Sequence, residues 1–105
     1  MRRGWEFKQV YDNAVVYHGR ALVLFVHSSP DLERRAGFVA GRKVGGAVQR
    51  NRSRRILREA YRKLKSGVQE QGARLILVAK AACATQPRAE VEQELQALLR
   101  RAGVL

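Results

Sequence analysis

Residues 42–65 read RKVGGAVQRNRSRRILREAYRKLK, and the rest of the chain is organised around them. Ten of the chain's 21 lysines and arginines lie in these 24 positions, against one acid, Glu59. A helix from Asn51 onward turns about 100° per residue, which gathers the apolar and small side chains into one arc and leaves the cations on the rest. The arc contains Ser53, Ile56, Leu57, Ala60, Tyr61 and Leu64. This stretch predicts an amphipathic helix whose outer face binds a polyanion.

The residues just before this helix also suit an anionic ligand. Gly45 and Gly46 allow a tight and sterically open backbone. The first turn of a helix carries unpaired N–H groups and the positive end of the helix dipole, which favour a phosphate. We therefore expect the loop and the helix to bind one ligand. The alternative is a solvated charged face, but such faces normally mix charges of both signs.

Length and charge restrict the class of protein. A chain of 105 residues is expected to form one RNA-binding domain, residues 1–105, with a single modest core. Its formal net charge of +12 exceeds what solubility requires and favours nucleic acid or an anionic membrane as the partner.

The composition excludes several other classes. Cys83 is the only cysteine, and with His18 and His27 as the only histidines no Cys/His zinc site can be assembled. No apolar run approaches the roughly 20 residues that cross a bilayer. The N-terminus lacks the apolar core of a signal peptide. We expect a cytoplasmic protein that has no membrane contact and binds no cofactor itself, and no protein partner is evident.

The first part of the chain predicts one helix followed by strands. Aromatic and apolar residues at helical spacing predict a helix over residues 4–12, and residues 14–17 suit a short strand or a turn. Residues 20–27 form a β-branched and aromatic run typical of a strand buried on both faces. Ser-Ser-Pro-Asp at residues 28–31 predicts a turn. A strand over residues 35–42 is then expected to form a hairpin with the strand before it.

The second part adds a strand and a helix after the basic helix. A continuous apolar run predicts a central strand over residues 73–80. Thr85 is expected to cap the last helix, with Pro87 in its first turn. The apolar stripe of that helix consists of Val91, Leu95, Leu98, Leu99 and Ala102. The order α-β-β-β-α-β-α predicts an α/β (α+β) sandwich, a small, mostly antiparallel sheet with helices packed on it.

The chain shows no convincing catalyst. Glu90, Glu92 and Glu94 are explained by the start of the last helix, where acids complement the dipole. The two histidines lie on different segments, and Cys83 stands among small residues, which is typical of a buried and inert thiol. Protein-based hydrolysis usually needs paired carboxylates, a metal cluster or an activated nucleophile. The pattern therefore indicates binding.

Two aromatic side chains on the first helix leave two interpretations open. Phe7 and Tyr11 lie four residues apart and therefore on one helix face. Aromatic pairs at this spacing more often belong to a core. Exposed rings of this kind also stack on the bases of single-stranded RNA.

Residues 42–62 closely resemble the signature of the bacterial ribonuclease P protein subunit. In that family Lys-Lys-Val-Gly-Asn-Ala-Val-x-Arg-Asn-Arg opens a basic helix, and residues 42–52 read RKVGGAVQRNR here. Residues 6–11, EFKQVY, are similar to the first helix of the family, and residues 22–25, 74–80 and 94–102 to its later elements. The basic N-terminal arm of the family is reduced to Arg2 and Arg3, which predicts weaker nonspecific attraction to the 5′ leader of the RNA substrate.

This resemblance implies a subunit of an endoribonuclease that matures the 5′ end of precursor tRNA. The RNA and its bound Mg²⁺ would perform the catalysis, so that no residue of this chain is expected to be catalytic or to bind a metal. Phe7, Tyr11 and Phe25 would contact the single-stranded 5′ leader of precursor tRNA in a cleft between the first helix and the sheet. The residues implied to face the catalytic RNA are Arg42, Lys43, Arg50, Asn51, Arg52, Arg54, Arg55, Arg58 and Arg62. A left-handed crossover through the basic helix is also implied, against the usual right-handed rule.

Two further functions remain as alternatives. A small basic ribonuclease of the toxin type would cleave RNA alone, with Arg, Lys and Tyr in place of a carboxylate pair. A noncatalytic ribosomal-type RNA-binding protein is permitted by the charge and disfavoured by the signature.

Overall fold

The structure is a computed structural model and describes residues 3–105. The helices are α1 (Gly4–Asn13), α2 (Ala47–Leu64) and α3 (Arg88–Arg101), and the strands are β1 (Val15–His18), β2 (Leu22–Glu33), β3 (Arg35–Ala40) and β4 (Gln71–Ala79). Short 3-10 helices lie at Arg42–Val44, Lys65–Gly67 and Ala81–Ala84. The order α-β-β-β-α-β-α and the α+β class are as predicted. Arg2 of the short basic arm lies outside the described residues. No described helix is both long and apolar enough to span a bilayer.

The four strands form one sheet in the order β1-β2-β4-β3. β2 pairs antiparallel with β1 and with β4, whereas β3 pairs parallel with β4. The prediction of a mostly antiparallel sheet is therefore confirmed. α2 connects the parallel strands β3 and β4, as a crossover requires, and the left-handed sense of that crossover stays a prediction.

The predicted hairpin between the strands of residues 20–27 and 35–42 is wrong. β4 lies between β2 and β3, which are not hydrogen-bonded neighbours. The physical reason is burial. The runs around Leu24 and Leu77 are apolar on consecutive residues and fill the centre of the sheet, where α2 and α3 cover one face and α1 covers part of the other. β3 contains Gly37 and begins at the exposed Arg35, so it takes an edge.

The predicted turn at residues 28–31 is also wrong, because β2 continues through it to Glu33. Regular pairing with β4 runs as far as Ser28, breaks, and resumes between Glu33 and Gln71. Pro30 lies in this irregular part, where its missing N–H breaks no ladder hydrogen bond. The turn-forming residues therefore produce a bulged strand rather than a reversal of the chain.

The main core lies between one face of the sheet and the helices α2 and α3. Leu24 and Leu77 contribute from the sheet, Leu57 from α2 and Leu95 from α3, and each of these side chains is fully buried. The helix stripes predicted from the sequence also lie in this core, apart from Leu64 and Ala102, which are half-buried at its edge. Burial of these faces fixes the outward direction of the α2 cations.

The opposite face of the sheet is only partly covered, by α1. Val10 of α1 and Ile76 of β4 are fully buried there. The residues on this face beyond α1 are Val16, Val23, Val39 and Val78, and they remain half-buried or exposed. This face therefore forms an open groove, with α1 as one wall.

The start of α3 differs from the prediction at two residues, because Pro87 stands just before the first helical residue and not in the first turn. Thr85 does not cap the helix, because α3 begins at Arg88 after Pro87, and the Thr85 hydroxyl donates to the Ala82 carbonyl at 3.4 Å instead. At the other end Gly103 has a positive φ of 75°, and the N–H of Val104 donates to the Leu99 carbonyl at 3.1 Å. This closing turn is a common use of a left-handed glycine.

Candidate RNA interface

The loop before α2 depends on a glycine. Gly45 has a φ of 136°, and its N–H donates to the Arg42 carbonyl at 3.2 Å, which closes the 3-10 turn. A Cβ at this position would lie 3.1 Å from Cβ of Gln49. α2 then begins at Ala47, and no side chain caps its first turn. No described side chain therefore competes for the first N–H groups of α2, and their binding of an anion stays a prediction.

α2 buries the face that its sequence predicts. Ser53, Ile56, Leu57, Ala60 and Tyr61 are buried against the sheet and α3. The predicted RNA-facing residues on the remaining surface are Arg42, Lys43, Asn51, Arg52, Arg55, Arg58 and Arg62, which are exposed, and Arg50 and Arg54, which are half-buried. The structure thus brings all nine onto one continuous surface, and their contacts with RNA stay predictions.

The acids nearest this surface lie on its α3 side. Glu59, the one acid of the basic stretch, accepts a hydrogen bond from Arg88 of α3 at 2.8 Å. Lys63 pairs with Glu92 of α3 at 3.5 Å. These ion pairs join the two helices. The one acid of the basic stretch is therefore paired with α3, and every other charged residue of that stretch is a cation.

Contacts within the protein orient several of the cations. The guanidinium of Arg58 lies 5.5 Å from the ring centroid of Phe38, a cation–π contact. Arg54 donates a hydrogen bond to Asn51. Arg50 Nε is buried and has no hydrogen-bond partner among residues 3–105. Contacts of this kind restrict Arg54 and Arg58, which would lower the entropy cost of binding a ligand.

The groove contains the predicted leader-binding residues. The rings of Tyr11 and Phe25 meet edge to face, with centroids 4.9 Å apart and an interplanar angle of 89°. Tyr11 remains 40% exposed, and Phe7 is half-buried on the same helix. Burial raises the pKa of the Tyr11 phenol, so this ring stays neutral at physiological pH. The rings of Phe7 and Tyr11 are therefore partly packed against the protein and partly exposed to solvent.

The groove and the basic helix adjoin. Val39, on the groove face of β3, precedes by three residues Arg42, which opens the 3-10 turn before α2. Lys43 follows in that turn and is exposed. A single RNA assembly could therefore contact the aromatic groove and the cationic helix together.

Sequence reasoning missed the role of Glu94. Its carboxylate accepts hydrogen bonds from the backbone N–H groups of Arg20, Ala21 and Leu22 at 3.0, 2.9 and 3.1 Å. A Cβ on Gly19 would lie 2.6 Å from Glu94 Oε2, so the turn between β1 and β2 needs glycine there. No local signal shows a contact across 72 to 74 residues of sequence.

The remaining candidate groups fit structural roles. Cys83 is fully buried, its Sγ lies 4.0 Å from the Ser53 carbonyl oxygen, and burial raises the pKa of its thiol. His18 is exposed at the end of β1, and His27 is half-buried in β2. Within the described part of the chain no three His, Cys, Asp or Glu side chains are grouped so as to hold a metal ion.

Comparison with known proteins places the chain in a family. The ribonuclease P family model matches residues 1–103, nearly the whole chain. This chain belongs to the ribonuclease P protein family. It is 39% identical over 106 residues to the ribonuclease P protein component of Dehalococcoides mccartyi (strain ATCC BAA-2266 / KCTC 15142 / 195), an alignment covering 100% of this chain and 85% of the relative. It is 40% identical over 100 residues to that of Symbiobacterium thermophilum, covering 94% and 86%.

Solved structures of ribonuclease P proteins share the fold. The Staphylococcus aureus protein superposes with a TM-score of 0.84 at 22% identity, covering 99% of this chain and 94% of that one. The Thermotoga maritima protein gives a TM-score of 0.82 at 22% identity, covering 96% and 94%. At this identity the likeness supports the arrangement of helices and strands and leaves individual residues to be judged by their own contacts.

Proposed function

We propose that this ribonuclease P protein binds the catalytic RNA of the enzyme through the outer face of α2 and holds the 5′ leader of precursor tRNA in the groove beside α1. Membership of the family makes the chain a protein subunit of the enzyme that processes the 5′ end of tRNA. The observation that carries the proposal is the adjacency of two surfaces of different chemistry. One is a helix face rich in arginine and lysine with a single acid, Glu59, and the other is a groove lined by aromatic and aliphatic side chains.

The cationic surface suits folded RNA. Phosphates dominate the affinity of nucleic acid complexes, and each neutralised phosphate makes binding more sensitive to salt. Arginine is favoured over lysine for such contacts, since its planar fork can bind two phosphate oxygens at once. Seven of the nine predicted residues are arginines, namely Arg42, Arg50, Arg52, Arg54, Arg55, Arg58 and Arg62.

The groove suits a single strand. Bases without a pairing partner stack on exposed aromatic rings, whatever their sequence. Tyr11 offers its exposed face at the groove edge, and Phe25 braces it from β2. A 5′ leader is single-stranded, so the proposed ligand and the surface match in chemistry.

The catalytic centre is proposed to lie in the RNA and its Mg²⁺ ions. This is supported by the structural use of the carboxylates of the chain. Glu94 holds a backbone turn, Glu59 and Glu92 link α2 to α3, and Glu6 pairs with Arg35. Such contacts leave these groups poorly placed for acid–base chemistry. We propose the cytoplasm as the place of action, as expected from the sequence.

The test is a reconstitution at low magnesium concentration. Protein, cognate catalytic RNA and precursor tRNA are mixed, and the rate of 5′ cleavage is compared with that of RNA alone. The proposal expects the protein to raise the rate and expects the gain to shrink when the leader is shortened to one nucleotide. An unchanged rate would overturn the function, whereas a gain independent of leader length would overturn only the groove assignment.

Two control reactions separate the alternatives. Protein without catalytic RNA should leave precursor tRNA and other RNAs intact, and cleavage abolished by an Arg or Tyr substitution would favour a ribonuclease of the toxin type. Co-purification with ribosomes at high salt would favour a ribosomal-type protein.

A further inference from the structure

The single acid of the basic stretch has arginine neighbours on its own helix. Glu59 follows Arg55 by four residues and precedes Arg62 by three. Residues at these spacings lie next to each other on the surface of a helix, and opposite charges there attract. If α2 stood alone, Glu59 would therefore pair with one of these two arginines.

In the folded chain Glu59 pairs with α3 instead. Its Oε2 accepts a hydrogen bond from Nη1 of Arg88 at 2.8 Å. The guanidinium groups of Arg55 and Arg62 form no hydrogen bond or ion pair within residues 3–105, and both residues are exposed. Two of the predicted RNA-binding arginines thus keep their charge and their donors for another ligand, although an acid stands beside them.

A second ion pair joins the same two helices. Lys63 follows Glu59 by four residues and is also within its reach, but it pairs with Glu92 of α3, with 3.5 Å between Nζ and Oε2. The two pairs have opposite polarity, since α3 offers a cation to the acid of α2 and an acid to the lysine of α2. Together they keep the Glu59 side chain on the flank of α2 that packs against α3.

The stability of α3 does not explain an arginine at position 88. Arg88 is the first residue of α3 and lies at the positive end of the helix dipole, where a cation is unfavourable. Its side chain is 56% exposed, so it contributes little to the core. The contact with Glu59 does explain the residue, because the planar fork of a guanidinium matches a carboxylate.

A carboxylate that was free to turn toward the RNA surface would compete with RNA. Carboxylates and phosphates bind the same donors of an arginine. An ion pair of Glu59 with Arg55 or Arg62 would be broken before that arginine bound a phosphate, and binding would be weaker by the free energy of the pair. Since exposed ion pairs add little to stability, the main effect of the Arg88–Glu59 pair is to leave the two arginines free.

We propose that Arg88 is a positioning residue of the RNA interface. It holds Glu59 on the α3 flank of α2 and thereby leaves Arg55 and Arg62 free to bind phosphates of the catalytic RNA. Arg88 acts through Glu59 and without contact to the RNA. This inference rests on the proposed function, because it assumes that the catalytic RNA binds the outer face of α2.

The test measures the affinity of the full chain for its cognate catalytic RNA at low salt. The proteins are the wild type, Arg88→Gln, Glu59→Gln and the double variant. Arg100→Gln is the matched control, since it removes one exposed cation from the other end of the same helix. Arg88→Gln should bind about twofold more weakly than Arg100→Gln, because Glu59 then pairs with an arginine of its own helix.

The effect of Arg88→Gln should depend on Glu59. Glu59→Gln should bind at least as tightly as the wild type, because it removes the competing carboxylate. Adding Arg88→Gln to Glu59→Gln should weaken binding no more than Arg100→Gln does. Arg88→Lys, which keeps a cation opposite Glu59, should restore most of the affinity that Arg88→Gln loses.

Three results would overturn the proposal. If the ion pair merely joined the helices, Arg88→Gln and Glu59→Gln would weaken binding equally, since each breaks it. If Arg88 contacted the RNA directly, its substitution would cause the same loss with or without Glu59. An affinity of Arg88→Gln equal to that of Arg100→Gln would show that Glu59 does not compete.

Failure of the proposed function is recognised separately. If the wild type does not bind the catalytic RNA, or if Arg52→Ala and Arg55→Ala leave its affinity unchanged, the α2 interface is wrong and this inference with it. Thermal unfolding provides the folding control. Arg88→Gln and Glu59→Gln should melt alike, because they break the same pair, so different effects on RNA binding would not result from unfolding.

Discussion

The cations of α2 differ at the level of single residues in what surrounds them. Arg58 rests on Phe38, Arg54 is hydrogen-bonded to Asn51, and Arg50 is partly buried. Arg52 and Arg55 are exposed. Removal of these two side chains should therefore report on RNA contact with little effect on the fold.

We predict that Arg52→Ala and Arg55→Ala each weaken binding of the catalytic RNA. Each should lower the salt slope by about one unit, because one phosphate contact is lost. The measurement is the affinity for catalytic RNA over a series of salt concentrations, with Arg100→Ala as the control. An unchanged slope in both variants would remove these residues from the interface.

Tyr11 allows stacking to be tested apart from packing. Tyr11→Ala should weaken the binding of precursor tRNA to the holoenzyme by about 1 kcal/mol or more, the range for loss of one base–aromatic stack. Tyr11→Phe keeps the ring and should bind normally. Affinity for the catalytic RNA should change in neither variant. Phe7→Ala should behave like Tyr11→Ala, and equal losses in both binding assays would refute the leader assignment.

Glu94 gives a prediction about stability. Glu94→Gln removes the charge from an acceptor of three backbone hydrogen bonds and should lower the free energy of unfolding by about 1–3 kcal/mol. Chemical denaturation measures this change. Glu90→Gln, at an exposed position on the same helix, should change it by a few tenths of a kcal/mol at most. Equal effects of the two substitutions would show that the turn does not depend on Glu94.

At the level of elements, α2 joins the core to the RNA surface. Its buried face is chemically uniform except for Ser53, whose side chain is fully buried and whose Oγ has no partner within residues 3–105. The small side chain brings the helix backbone close to the 3-10 helix Ala81–Ala84, where Cys83 Sγ faces the Ser53 carbonyl.

We expect Ser53→Ala to raise the free energy of unfolding by about 1 kcal/mol, because it removes an unsatisfied buried hydroxyl and keeps the close packing. Ser66→Ala, at an exposed position, serves as the control and should change little. Thermal and chemical denaturation measure the effect, and RNA affinity should not change. A loss of stability in Ser53→Ala would show that the hydroxyl has a partner after all.

At the level of elements, the order of the strands in the sheet could not be predicted from local sequence. Both apolar runs around Leu24 and Leu77 are recognisable as buried strands, and the structure confirms them. No residue near either run indicates that the two strands pair with each other, because they lie about fifty residues apart in the chain. The expected hairpin of β2 with β3 is wrong for this reason. The Pro30 segment likewise has turn chemistry but lies in a bulged strand.

In the whole molecule, the sheet separates the two proposed RNA-binding functions. One face packs on α2 and α3 and directs the cations outward, whereas the other bears α1 and the groove. Cys83 lies in the main core beside Ser53 of α2 and is fully buried. Burial raises the pKa of its thiol, so the reactive thiolate is scarce at neutral pH.

Cys83 should therefore report on unfolding of the whole domain. At neutral pH a thiol-reactive reagent should label the native protein slowly, at a rate set by opening of the core, and label the denatured protein at once. Raising the pH should speed native labelling less than it speeds labelling of a free cysteine, because opening of the core limits the rate and ionisation of the thiol does not. Equally fast labelling of both states would contradict a buried thiol.

The sequence by itself determined the order of elements, the buried stripes of α2 and α3, the family and the cationic surface. These depend on spacing within one element or on a contiguous motif, so neighbouring residues suffice to define them. Only the tertiary structure decided the placement of β4 between β2 and β3, the hold of Glu94 on the β1–β2 turn and the pairing of Glu59 with Arg88. Each of these depends on strands or side chains that are distant in the chain, and burial of the whole core selects among their possible pairings.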